Sequence, residues 1–184
     1  IEGLDPTKYT IVLHTDAFVR DKYNQLFHKE LKSRMGRGQP ISQDEYRKLA
    51  EEYSLRAEHK NYDTKWHEMG HLLASGYNIP SDSRSEGIAI AYELKGILLG
   101  AKEGRIPERD AIELVKIRTR VNREGEEFYA QSLQSVLKGF DIDHYEGEEN
   151  PIDTAVKALD KRIGKALGTP MNKLVAEIKS MFWI

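Results

Sequence analysis

Residues 65–72, KWHEMGHL, place His67 and His71 four residues apart with Glu68 between them. On an α-helix, positions i and i+4 stand one above the other on the same face, so both imidazoles can serve one ion. Glu68 neighbours them around the helix, where it can hold a water bound to that ion. This is the physical content of H-E-x-x-H: two ligands and one general base on a rigid element. Imidazole nitrogen suits zinc, which brings the pKa of a bound water to about 7. The same letters could be ordinary helix surface, but the flanks argue otherwise. Trp66, Met69, Gly70, Leu72 and Leu73 are all uncharged, as expected of a helix that packs against something. Gly70 costs a helix about 1 kcal/mol relative to Ala, so its presence predicts close approach of another element.

The surrounding chain permits a folded site of this kind. Its 184 residues suit one compact domain, 1–184, able to bury a core without staples. Charged residues make up 32% and the net charge is -2, with both signs mixed along the whole length. That leaves no basic field for nucleic acid and no polybasic membrane anchor. No apolar run is long enough to cross a bilayer, and the opening residues IEGLDPTKYT do not read as a signal peptide. Cysteine is absent, which removes disulfides, thiolate nucleophiles and Cys-type zinc sites. The compartment stays open, with a lean to the cytoplasm.

One strand signal stands near the start: Tyr9-Thr10-Ile11-Val12-Leu13-His14-Thr15. Everything after it reads helical. Val19, Tyr23, Leu26, Phe27 and Leu31 recur at helical spacing from Phe18 to about Met35. Ser42 and Glu45 form a capping box for a helix over roughly 43–59. Asp63 is placed to cap a separate helix carrying the motif, ended by Gly76. A further helix follows Pro80-Ser81-Asp82-Ser83 to about Lys102. Pro107 opens a long one to about Lys138, with Ile112, Val115, Ile117, Val121 and Phe128 as its core stripe and Glu124–Glu127 an exposed turn or a break. An acidic loop, DIDHYEGEEN, precedes two last helices begun by Asn150-Pro151 and Thr169-Pro170. The apolar end, Met181-Phe182-Trp183-Ile184, is expected to pack. The expected fold is mainly α with a small β element near the N-terminus, an α+β arrangement.

Catalytic zinc takes three protein ligands and keeps one position for water. The extended form H-E-x-x-H-x-x-G-x-x-H fails, because Ala74 and Tyr77 stand where its glycine and third histidine belong. The remaining option is a carboxylate on the next helix, Ser85-Glu86-Gly87-Ile88-Ala89-Ile90-Ala91-Tyr92-Glu93, where Glu86 and Glu93 point to nearly the same side.

At these residues the chain resembles the gluzincin metallopeptidases. HEMGH is similar to their zinc helix, and SEGIAIAYE to their glutamate helix, over about residues 63–95. The resemblance implies a zincin-like fold with a small sheet, one Zn2+ per chain, and hydrolysis of a peptide or protein substrate. It makes Glu86 the third ligand beside His67 and His71, with Glu93 either replacing it or accepting an N–H from one of the histidines. Glu68 becomes the base that activates water. The family's oxyanion donor is a later Tyr or His, for which Tyr92, Tyr129, His144 and Tyr145 are candidates, and His144-Tyr145 in the acidic loop are carried forward. His14 is read as structural, and His28 and His59 as solvent-exposed. The rival readings are a non-proteolytic amide hydrolase, a catalytically inactive zinc-stabilised scaffold that binds a protein partner, and a helical interaction protein without metal. A deformylase-type site is excluded because it requires a cysteine ligand.

Overall fold

The computed structural model describes residues 13–38, 41–120 and 127–168. Six α-helices make it up: α1 (Asp16–Gly36), α2 (Gln43–Gly76), α3 (Ser83–Lys102), α4 (Glu108–Thr119), α5 (Glu127–Val136) and α6 (Pro151–Leu167), with a 3₁₀ turn at Ile142–Tyr145. Among the described residues there is no strand, so the described fold is all-helical and the α+β expectation is corrected. Of the expected strand, residues 9–12 lie outside the described residues. Residues 13–15 form no strand; Thr15 is the extended N-cap of α1, its hydroxyl accepting from Phe18 N–H. Thr15 reads like a strand residue because an N-cap takes the same extended φ/ψ. No described helix is long and apolar enough to cross a membrane.

The described residues fall into two compact units, one ending at Thr64 and the other beginning at Lys65. In the first, α1 presents Val19, Tyr23 and Phe27 at successive i, i+4 positions, all buried. Tyr23 and Phe27 meet Tyr53 of α2. Tyr53 stands edge-on to Tyr23 at 6.4 Å and to Phe27 at 5.8 Å. The Arg56 guanidinium lies 5.5 Å from the centroids of both Tyr23 and Tyr53. The expected capping box forms: Glu45 N–H donates to Ser42 Oγ and Ser42 N–H to Glu45 Oε2. The expected break between residues 59 and 63 does not exist. α2 runs on without interruption, so Asp63 is a buried mid-helix residue and not a cap. The capping signal is outweighed because no Gly or Pro stands in the run to stop the helix. His59, too, is half-buried instead of exposed.

In the second unit α3 is the centre. Its buried residues include Ile88, Ala89, Ile90, Ala91, Tyr92, Leu94, Ile97 and Leu98, with Glu93 and Lys95 among them, so it is buried on nearly all sides. Such a helix must be covered all round, and α4, α5 and α6 each pack against it. The long helix expected after Pro107 is two, α4 and α5, with residues 121–126 outside the described residues. Within its stripe Val115 and Ile117 are buried and Ile112 half-buried, but Phe128 is 54% exposed, at the start of α5 and away from that unit's core. Asn150-Pro151 does open α6. The final helix expected from Thr169 and the apolar terminus lie outside the described residues.

Candidate metal centre

Two helices carry the donors, and glycine decides how close they come. A Cβ on Gly70 would sit 2.6 Å from Ala89 Cα and 2.9 Å from Tyr92 Cβ, so the end of α2 lies directly on α3 there. A Cβ on Gly96 would run into the Trp66 ring, whose centroid is 5.7 Å from that of Tyr92. Asp82 caps α3, accepting from Arg84 and Ser85 N–H, and so fixes Ser85 and Glu86 in its first turn.

This packing brings His67, His71 and Glu86 together, with one ligand atom from each lying within 4.8 Å of the others. Glu86 Oε1 is 3.6 Å from His67 Nε2, and Oε2 is 3.2 Å from His71 Nε2. The rings of the two histidines are 4.9 Å apart at 77°. The other imidazole nitrogens are engaged behind the cluster: His67 Nδ1 is 3.0 Å from Glu93 Oε2, and His71 Nδ1 is 3.3 Å from Ser85 Oγ. Both Nε2 atoms thus face Glu86. Ligand atoms on a tetrahedral zinc at about 2.0–2.2 Å stand roughly 3.3–3.5 Å from one another. The two separations, each to a different oxygen of Glu86, lie near that range, and the donor set is of the His₂Glu type. The residues fit the ion.

The cluster is half-buried, with His67, His71 and Glu86 side chains 20%, 34% and 24% exposed, and Glu68 beside it is exposed. One side is therefore open to solvent. Without an ion, the hydrogen bond to Glu86 holds the His71 imidazole above its ordinary pKa against the opposing effect of burial. The same bond holds the Glu86 carboxyl below its ordinary value.

Glu93 is fully buried. One of its oxygens lies against His67, and the other accepts from the Arg118 guanidinium of α4. Sequence reasoning misses Arg118 and Ser85. Ser85 gives no signal beyond its place next to Glu86. Arg118 does: it falls on the same face of α4 as the buried Ala111 and Leu114, where a cation needs a carboxylate.

The oxyanion candidates make other contacts. His144 is exposed in the 3₁₀ turn, Tyr145 packs on Phe140 at 6.0 Å, and among the described residues no hydrogen bond or ion pair joins either to the cluster. The Tyr129 hydroxyl donates to the Arg118 carbonyl. Tyr92 is buried in the core, where desolvation pushes its hydroxyl well above the usual phenol range. His14 is exposed, its ring 4.6 Å from that of Phe18. Comparison with protein families, curated proteins and solved structures returns no match for this chain.

Proposed function

We propose that this chain is a zinc-dependent metallopeptidase of gluzincin type, with His67, His71 and Glu86 as the ligands. The observation that carries the reading is the convergence of three donors from two helices, with both Nδ1 atoms tied back so that both Nε2 atoms face one point. Zinc bound there would supply Lewis acidity toward a carbonyl oxygen and acidify a water. Glu68, on the open side of the helix one residue from His67, takes the proton as the water oxygen adds to the scissile carbonyl carbon. It then gives that proton to the leaving nitrogen as the C–N bond breaks, so one water is consumed and an acid and an amine result.

The second reading is a zinc-stabilised scaffold that binds a protein partner without turnover. What favours it is that no strand stands among the described residues to pair with an extended peptide. Glu68→Gln separates the two. The peptidase reading expects one zinc per chain by elemental analysis in both proteins. It also expects cleavage of a peptide library by the wild type only, with the variant slower by about 10²–10⁴-fold. Zinc without cleavage in the wild type leaves the scaffold; no zinc after reconstitution overturns both.

A further inference from the structure

We propose that Arg118 is a positioning residue for the metal centre, acting through Glu93 to fix the ring and tautomer of His67. The inference rests on the zinc reading and adds a chain of groups to it. Glu93 is fully buried on a helix whose neighbouring positions Ala89, Ile90, Tyr92, Leu94 and Ile97 are buried and apolar. A carboxylate in such surroundings needs partners on both oxygens. It has them on opposite sides: the Arg118 guanidinium on Oε1 and His67 Nδ1 on Oε2.

The guanidinium only donates. A carboxylate that neutralises it offers acceptor atoms alone, so Nδ1 of His67 must be the donor in the second contact. In a neutral imidazole that leaves the lone pair on Nε2, the nitrogen that faces Glu86. Arg118 thus decides which nitrogen of His67 is available as a ligand, without touching His67 itself. Its own place is held from a further helix, since Tyr129 of α5 donates its hydroxyl to the Arg118 carbonyl near the end of α4. His71 has no such arrangement. Its Nδ1 meets the Ser85 hydroxyl, which can donate or accept and imposes neither tautomer.

The test compares wild type with Arg118→Met and Arg118→Lys in two measurements. Imidazole nitrogen shifts in the metal-free protein report the tautomer of His67, and zinc titration with a competing chelator reports affinity. The Nδ1–H form of His67 should dominate in the wild type and in Arg118→Lys, and lose its dominance in Arg118→Met. Zinc binding should weaken by about 10–100-fold in Arg118→Met and be largely rescued by lysine. An unchanged His67 tautomer in Arg118→Met overturns the proposal, as does unchanged zinc affinity. If Arg118→Met does not fold, Arg118→Gln, which removes the charge but keeps an N–H donor for Glu93, replaces it, and the same outcomes decide. A wild type that takes up no zinc would sink the metallopeptidase reading, whereas the tautomer measurement would still decide the Arg118–Glu93–His67 link.

Discussion

The two units of the chain solve the problem of polar groups on packed helices differently. In the unit ending at Thr64, two helices share one aromatic face, and the Arg56 guanidinium is met by Tyr23 and Tyr53 rings and by Glu52 at 3.4 Å. Leu13, Phe18, Leu26, Met35 and Tyr46 are exposed there, and a groove of about 370 Å³ is lined by Arg20, Phe27, Tyr53 and Glu58 among others. In the unit from Lys65 on, a central helix is covered on all sides, and its charged residues are matched at single atoms: Glu93 with His67 and Arg118, and Lys95 with Asp160 at 2.6 Å. Ring packing tolerates small adjustments of angle and distance. A buried carboxylate does not, because a lost partner leaves it uncompensated. The second arrangement is the one that can hold donor atoms to within a few tenths of an ångström, and the candidate centre is found there.

Removing Glu93 should break this contrast most severely. Glu93→Ala leaves the Arg118 guanidinium without its buried carboxylate and is expected to cost about 3–5 kcal/mol in denaturant unfolding of the metal-free protein. A loss no larger than that of a surface substitution would mean that the interior around α3 is more forgiving than its geometry implies.

In the aromatic unit the corresponding expectation is smaller. Tyr53→Leu keeps apolar bulk and gives up the edge contacts with Tyr23 and Phe27, at about 0.5–1.5 kcal/mol for each ring pair. A cost equal to that of Glu93→Ala would erase the distinction drawn between the two units.

The gentlest test is pH. In metal-free protein His71 is held above its ordinary value of 6.5 and Glu86 below its ordinary 4.5, each chiefly by the bond to the other. The raised imidazole contributes stability that is full below 6.5 and is lost as pH rises through its folded-state value. The lowered carboxyl contributes stability that is present above 4.5 and is lost as pH falls through its folded-state value. The shared bond therefore supports the metal-free fold most fully between those two reference values. Zinc competes with the proton for His71, so the rise in Tm on adding zinc should shrink as pH falls. A zinc-induced shift independent of pH across that window would show that His71 is not a ligand.

Much of the site is legible in the chain itself. The spacing of His67 and His71, the uncharged flanks and the isolated carboxylates of SEGIAIAYE depend on one helical period, which is a local property. Gly70 is legible in the same way, since a costly residue inside a helix has to be repaid by contact, and Ala89 is that contact. The start of α1 is not legible, because an extended cap such as Thr15 has the φ/ψ of a strand residue. Nor is the continuity of α2 across residues 59–63, because Asp caps a helix only when something stops the preceding one.

The sequence by itself determined which residues share a helix face, where Asp82 and Pro151 start helices, and that no cysteine could complete the centre. Only the tertiary structure decided that Glu86 faces both Nε2 atoms while Glu93 turns to Nδ1 of His67, and that Arg118 arrives from α4 to share Glu93. The physical reason is range: helical periodicity is written within a few residues, whereas the choice between two carboxylates seven positions apart is made by what packs against each. For Glu93 that neutralisation comes from Arg118, a residue distant in the chain on another helix.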